Sequence, residues 1–275
     1  MKSPENPNSE LARIVAEDPE FLRSVTARPL RILGEYLHPA EVFERAGVTD
    51  TITFFGSARL RPPADLEAGA SAAGGAGSKD AATAKPGGSK IDLSGAYRSA
   101  MDLGQAIARW SAEHAEPRRR KVLVMTGGGP GIMEAANRGA AAAGAESSGL
   151  SIQLPFEDAA NPYVTPELNF HFQYFFMRKY WFLYFARALV VFPGGFGTLD
   201  ERFETLTLQQ TRHIQNVIPI FLFGKSFWER LIDFDFLAEA GMISPEDHEL
   251  FHIVDSVDEA MRGLTPILER AVQSS

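Results

Sequence analysis

The chain has 275 residues, of which 45% are hydrophobic, and a formal net charge of -8 with an isoelectric point near 5.3. This length and apolar content suffice for a sizeable core in one domain, whereas the acidic balance argues against nucleic acid as a partner. There is no cysteine, so disulfides, thiolate metal sites and cysteine nucleophiles are excluded. Residues 1–10 do not resemble a signal peptide and basic residues interrupt the apolar region 174–192, so we expect a cytoplasmic protein without membrane contact.

Two segments, residues 1–48 and 61–90, lie on either side of the first predicted strand, residues 51–55. Residues 1–48 have helical periodicity without catalytic motifs, and we expect a helical extension used for packing or oligomer contacts. Residues 61–90 are rich in Ala, Gly, Ser and Pro and are expected to be a flexible insertion, with a lid over the site as the alternative. The main domain then spans 49–275.

Helical and strand patterns alternate along the rest of the chain. Strands are predicted at 122–125, 149–154, 168–172, 188–192, 217–223 and 251–254. Helices are predicted at 94–114, 132–141, 173–187, 199–212, 226–240 and 257–272. This order predicts an α/β, Rossmann-like fold: an open parallel sheet with helices on both faces. The helix 173–187 is aromatic on nearly every side, so we expect it to be buried against the sheet or a second subunit.

Glycine-rich turns follow three of the predicted strands and mark the candidate ligand site. The first turn contains Gly56 and Ser57, at the strand end where open α/β sheets bind ligands. The others provide the remaining candidate phosphate-binding residues: Gly127, Gly128, Gly129, Gly131, Gly194, Gly195, Gly197 and Thr198. A glycine turn that opens a helix holds phosphate through free backbone N–H groups and the helix dipole. Neither of the two longer turns fits the G-x-G-x-x-G dinucleotide fingerprint or the Walker pattern, which leaves a mononucleotide or sugar phosphate.

An acid and an arginine accompany the last of these turns. Thr198 and Glu201 fit a capping box, with Thr198 as N-cap and Glu201 at the third helical position. Arg178 is costly to bury in an aromatic helix without an anion, so it is expected to pair with Glu201, a substrate phosphate or both. A carboxylate near an anomeric carbon can stabilise an oxocarbenium-like transition state or orient water, although these residues alone do not separate catalysis from binding.

Other chemistries receive less support from the sequence. The six histidines form no metal-ligand spacing, and His171 is expected to be a packed residue at a strand end. A G-x-S-x-G elbow is also missing, so serine hydrolase chemistry is not supported. We therefore expect neither a metal nor a cofactor.

The stretch Pro193–Glu201 (PGGFGTLDE) matches P-G-G-x-G-T-x-x-E at every fixed position and resembles the LOG ("Lonely Guy") family, the cytokinin riboside 5′-monophosphate phosphoribohydrolases. The family's upstream Arg-Lys pair is matched by Arg178 and Lys179. The turn 127–133 resembles the family's second glycine element with one residue fewer between its glycines, and the similarity covers about 49–254.

This resemblance implies hydrolysis of a nucleoside 5′-monophosphate to free base and ribose 5-phosphate. It implies Arg178 and Glu201 as the catalytic pair, Lys179 and the glycine turns as substrate-binding groups, and a homodimer or larger oligomer. The first turn reads Gly-Ser-Ala-Arg instead of Gly-Ser-Ser, which leaves adenine and modified adenine as equal candidates for the base. The alternatives are a non-catalytic nucleotide or molybdenum-cofactor carrier on the same fold and, with least support, an NAD-linked dehydrogenase.

Overall fold

The computed structural model describes residues 17–63, 66, 93–114, 121–153, 160–211 and 217–273. Seven strands are present in these ranges: β1 (Val48–Phe55), β2 (Lys121–Thr126), β3 (Ser147–Ile152), β4 (Asn169–Phe172), β5 (Ala186–Val191), β6 (Ile220–Phe223) and β7 (Phe251–Val254). The α-helices are α1 (Pro19–Arg23), α2 (Arg28–Arg45), α3 (Ala96–His114), α4 (Ile132–Ala142), α5 (Phe175–Tyr184), α6 (Phe196–Gln210), α7 (Lys225–Leu231), α8 (Phe234–Glu239) and α9 (Val257–Gln273). Most of the predicted insertion 61–90 lies outside the described residues.

The seven strands form one parallel sheet in the order β4-β3-β2-β1-β5-β6-β7. The chain first builds outward from β1 through β2 and β3 to β4, and then returns to the other side of β1 with β5. The order reverses between β1 and β5, and such a switch point opens a crevice at the carboxyl ends of the strands. The predicted α/β, Rossmann-like fold is confirmed.

The core lies on both faces of the sheet, because alternate residues of each strand point to opposite sides. In β5, Ala188 and Val190 join a cluster with α3, α4 and α9, whereas Leu189 and Val191 join a second cluster with α2 and α5. A strand buried on both faces has no polar alternation, which explains the continuous apolar run at this point of the sequence.

Helix α2 packs against α5 through hydrogen bonds of Glu35. The Trp181 indole donates a hydrogen bond of 2.8 Å to the main-chain oxygen of Glu35. The Glu35 carboxylate accepts main-chain N–H bonds from Gln173 (2.6 Å) and Tyr174 (3.3 Å), at the start of α5. Helix α2 therefore supplies an acceptor for N–H groups that the α5 helix leaves without an internal partner.

Two of the predicted helices, 173–187 and 226–240, have wrong boundaries. The aromatic helix was expected over 173–187, but α5 ends at Tyr184 and Arg187 belongs to β5. Its burial is also incomplete, since Phe176, Tyr180 and Tyr184 are 51%, 37% and 57% exposed. The helix expected at 226–240 is two short helices, α7 and α8, because Asp233 caps the start of the second one with a 2.9 Å bond.

Two glycines bring α3 and α4 unusually close together. A Cβ added at Gly139 would lie 2.0 Å from the Met101 main-chain oxygen, and one at Gly104 would lie 2.6 Å from the Ala136 oxygen. Any side chain at either position must push the two helices apart. This contact fixes the middle of α4 against α3.

We expect Gly139→Ala to lower the free energy of unfolding by about 2–3 kcal/mol, because the new methyl group overlaps backbone that cannot rotate away. The matched control is Gly34→Ala, in the interior of α2, where an added Cβ has no atom within 4 Å. That change should raise stability by about 0.5–1 kcal/mol through helix propensity. Urea denaturation measures both, and equal effects of the two substitutions would contradict the close-packing argument.

Candidate functional site

A cleft of about 770 Å³ lies at the carboxyl ends of the central strands. Predicted site residues that line it are Gly56, Ser57, Gly127, Gly129, Arg178, Gly194, Gly195, Gly197, Thr198 and Glu201. The cleft therefore brings together groups from all three glycine-rich turns and both members of the predicted acid–arginine pair.

Ser57 connects the three turns through its own backbone. Its N–H donates to the Pro193 oxygen at 3.0 Å, and its oxygen accepts the Ile132 N–H at 3.1 Å. Its hydroxyl oxygen accepts the Arg59 N–H at 3.1 Å. The end of β1 is thus tied to the turn after β5 and to the first residue of α4.

The turn after β2 depends on two glycines with left-handed backbone, Gly128 (φ 71°) and Gly131 (φ 73°). A Cβ at Gly131 would lie 2.3 Å from the Ser57 oxygen, so only glycine allows this approach. Both residues are buried and neither lines the cleft, in contrast to Gly127 and Gly129. Gly128 and Gly131 thus shape the turn, while Gly127 and Gly129 line the cleft.

A buried network of amides holds this turn from behind and was missed in the sequence. The Asn161 amide lies 3.0 Å from the Gly128 oxygen, 3.1 Å from the Gly129 oxygen and 3.0 Å from the Asn137 side-chain oxygen. Thr126 donates to the same Asn137 oxygen at 2.7 Å. The signal available in the sequence was Asn137, a polar residue among the alanines of α4. The structure shows that Asn137 is fully buried, and a buried amide needs hydrogen-bond partners.

Helix α6 begins earlier than predicted, and this changes the role of the PGGFGT loop. The helix starts at Phe196 with Gly195 as N-cap, and no side-chain hydrogen bond caps it. The predicted capping box of Thr198 and Glu201 is therefore wrong, because glycine has no side chain to accept the first N–H groups. Thr198 is instead a buried residue of the first turn whose hydroxyl would touch a Cβ at Gly194. An uncapped helix start facing a cleft is suited to an anion.

Arg178 and Glu201 form an ion pair at the wall of the cleft. The Arg178 guanidinium donates to the Glu201 carboxylate at 2.9 Å, with side-chain exposures of 12% and 13%. The guanidinium also lies 5.2 Å from the ring centre of Phe175 and 5.4 Å from that of Phe182. This contact was one of the two expected for Arg178.

Burial raises the pKa of Glu201 to about 7, and the nearby Asp200 carboxylate raises it further. Arg178 and Lys179 act in the opposite direction, but burial is the larger effect. A carboxyl group with this pKa exchanges its proton near neutral pH, which is a property common in catalytic acids and bases.

Lys179 lies on α5 beside Arg178 but is directed elsewhere. Its ammonium group is 2.8 Å from carboxylate oxygens of both Asp200 and Glu204, and it does not line the cleft. Partial burial lowers the pKa of Lys179, yet hydrogen bonds to the two carboxylates leave it above its usual value. Lys179 thus links α5 to α6 next to the cleft.

The cleft also contains lining residues that the sequence predictions did not include. These are Ala58, Arg59, Met133, Ser151, Ile152, His171, Phe175, Phe196, Leu199, Phe227 and Leu231. His171 was expected to be packed, but it is exposed because alternate residues of the edge strand β4 face outward. Only the regular alternation of Asn169–Phe172 could have indicated this orientation.

Two further properties concern the described ranges alone. Among these residues, no group of three or more His, Asp or Glu side chains is placed to hold a metal ion. None of the helices seen there is both long and apolar enough to cross a membrane.

A search of curated proteins gave no match. Solved structures of similar fold include a structural-genomics target, TM1055 (18% identity, 79% of this chain and 99% of that one, TM-score 0.48). A second is a molybdenum cofactor binding protein from Rippkaea orientalis (17% identity, 80% of this chain and 98% of that one, TM-score 0.49). A third is a Moco carrier protein from Chlamydomonas reinhardtii (18% identity, 81% of this chain and 99% of that one, TM-score 0.48).

One family model, described as "Possible lysine decarboxylase", matches residues 133–264. The matched region contains the Arg178–Glu201 pair and the whole PGGFGT loop. Over this region the chain is similar to the family that carries the legacy name lysine decarboxylase.

Proposed function

We propose that this protein hydrolyses the N-glycosidic bond of a nucleoside 5′-monophosphate, releasing the free base and ribose 5-phosphate. The observation that carries the proposal is the buried Glu201 carboxyl group, paired with Arg178 at 2.9 Å in the same cleft as the uncapped start of α6. Phosphate at the start of α6 would bring the sugar toward Glu201, which lies on the second turn of that helix.

The proposed reaction adds water across the bond between C1′ and the base nitrogen. As this bond breaks, positive charge develops at C1′ and the electron pair leaves with the base, which takes up a proton. The ionised Glu201 carboxylate stabilises that charge or accepts a proton from the attacking water. Arg178 holds the carboxylate in place and keeps a fraction of it ionised at neutral pH.

The legacy name of the family receives no support from the lysine at this site. A lysine that forms a Schiff base with pyridoxal phosphate must supply a neutral amine, which a lowered pKa favours. Two carboxylates 2.8 Å away favour the charged form of Lys179 instead. Lys179 is therefore proposed as a structural cation that fixes α5 against α6.

We also propose that the protein is a homodimer that uses the exposed apolar surface of α2 and α5. Residues at helical spacing form a stripe on each helix: Leu30, Leu33 and Leu37 on α2, and Phe176, Tyr180 and Tyr184 on α5. Contiguous apolar surface of this kind marks association sites in soluble proteins. Because α5 carries Arg178, such an interface would lie next to the cleft.

Incubation of the purified protein with AMP should release free adenine, measured by chromatography. Glu201→Gln should lower the rate at least about a hundredfold, since the amide can neither carry the charge nor accept the proton. Glu269→Gln, which changes an exposed carboxylate of α9 outside the cleft, is the control and should keep the activity. Ligand retained without turnover by the wild type, across several nucleotides, would instead favour the carrier function.

The pH dependence of kcat/KM tests the role of Glu201 more directly. If the ionised carboxylate acts, the rate should rise between about pH 6 and pH 8 as Glu201 loses its proton. Arg178→Gln should move the residual activity profile to higher pH, because Arg178 lowers the pKa of Glu201. A profile that falls over the same range would contradict this role.

Light scattering after size-exclusion chromatography should give the mass of a dimer. Leu33→Glu combined with Tyr180→Lys should produce a monomer, because both changes place charge within the apolar stripes. Met242→Lys is the control, since Met242 is 69% exposed and lies on neither helix. A monomeric wild-type protein would refute the homodimer.

A further inference from the structure

Arg59 stands at the mouth of the cleft and has no role in the function proposed above. It follows β1 by four residues, is exposed, and lines the same cleft as both longer glycine turns. Neither the family match nor the PGGFGT motif includes it, because both lie later in the chain.

The backbone at Arg59 is held firmly in spite of its exposure. Its N–H is bonded to the Ser57 hydroxyl, and Ser57 is tied to Pro193 and Ile132. The intervening Ala58 packs on the backbone of Gly131, where an added Cβ would lie 2.8 Å from the Ala58 carbonyl carbon. Arg59 therefore starts from a fixed position between the two helix starts, and only its side chain needs to be ordered when a ligand binds.

The charges around the cleft leave Arg59 as the cation available to a ligand. The charged lining residues are Arg59, Arg178 and Glu201, with His171 as a further titratable group. Arg178 and Glu201 face each other at 2.9 Å. The Arg59 guanidinium has no hydrogen bond or ion pair with any described residue, in a protein of net charge -8.

Phosphate monoesters are dianions near neutral pH, and two helix starts alone supply only partial charges. A guanidinium presents two parallel N–H donors that match two phosphate oxygens and adds a full positive charge. Ser57 complements it, because its hydroxyl accepts the Arg59 N–H and still has its own hydrogen to donate.

We propose that Arg59 binds the 5′-phosphate of the substrate and thereby selects nucleoside monophosphates over nucleosides. This inference deepens the proposed function and rests on it for the identity of the substrate. It assigns to Arg59 a binding role, separate from the catalytic role of Glu201 and the positioning role of Arg178. On this proposal, the Gly-Ser-Ala-Arg sequence of the first turn serves to bind the phosphate and not to select the base.

Calorimetric titration with ribose 5-phosphate tests the proposal, because this compound carries the phosphate but no bond to be cut. Arg59→Gln should weaken its binding at least about tenfold, the effect of losing one charge-assisted contact. The affinity of Arg59→Lys for ribose 5-phosphate should fall between those of the wild type and Arg59→Gln, since lysine keeps the charge but loses the two-donor geometry. The control is Arg109→Gln, an exposed arginine of α3 that lies outside the cleft.

Adenosine, which lacks the phosphate, should bind the wild type and Arg59→Gln equally. The proposal is overturned if Arg59→Gln binds ribose 5-phosphate as tightly as the wild type, or if the wild type does not bind it at all. The AMP assay separates this result from the main proposal. If Arg59→Gln binds ribose 5-phosphate more weakly but the wild type releases no adenine, the hydrolase proposal is wrong and the binding role of Arg59 stands. If the wild type hydrolyses AMP but Arg59→Gln binds ribose 5-phosphate as the wild type does, only the role of Arg59 is wrong.

Discussion

The backbone of Ser57 is the point on which the whole site depends, because it ties the turns after β2 and β5 to the end of β1. Its N–H reaches Pro193 and its oxygen reaches Ile132. The bond to Ile132 requires a very close approach of the two chain segments, which only the missing side chain of Gly131 allows. Two turns distant in sequence thus become one surface, with the N-termini of α4 and α6 opening on the same cleft.

A second constraint is the cost of burying charge beside that surface. Glu201 is 13% exposed, and desolvation favours its neutral form more strongly than Arg178 favours the anion. Burial thus raises the pKa of Glu201 to about 7. An isolated salt bridge at the surface would not produce this shift, because solvent would keep Glu201 ionised.

Much of the fold could be predicted from the sequence, since strand and helix periods are strong in this chain. β7 was predicted over Phe251–Val254, its observed range, and the alternation of elements indicated the parallel sheet. The start of α6 was not predictable from propensity. Gly195, Phe196 and Gly197 have the composition of a loop, yet the last two already belong to the helix. The close contact of Thr198 with Gly194, one helical turn away, accompanies this early start and leaves room only for glycine at position 194.

Only some of the residues at the candidate site could be predicted from the sequence. Residue types in a known spacing indicated the pairing of Arg178 with Glu201, whereas Asn161 and Arg59 had no pattern of their own. Asn161 reaches the Gly128 turn from a loop 33 residues further along, which single-sequence periodicity cannot reveal. His171 was misjudged because a four-residue strand is too short to show whether it lies at the edge of a sheet.

The position of β1 has a consequence for how the chain can be divided. This strand lies between β2 and β5, and neither β1 nor β2 is contained in the region 133–264 that the family model matches. A fragment cut to that region would place β3 and β5 on opposite sides of a two-strand gap and would lose Ser57. A piece of the chain that keeps the sheet continuous must therefore begin no later than Val48, the first residue of β1.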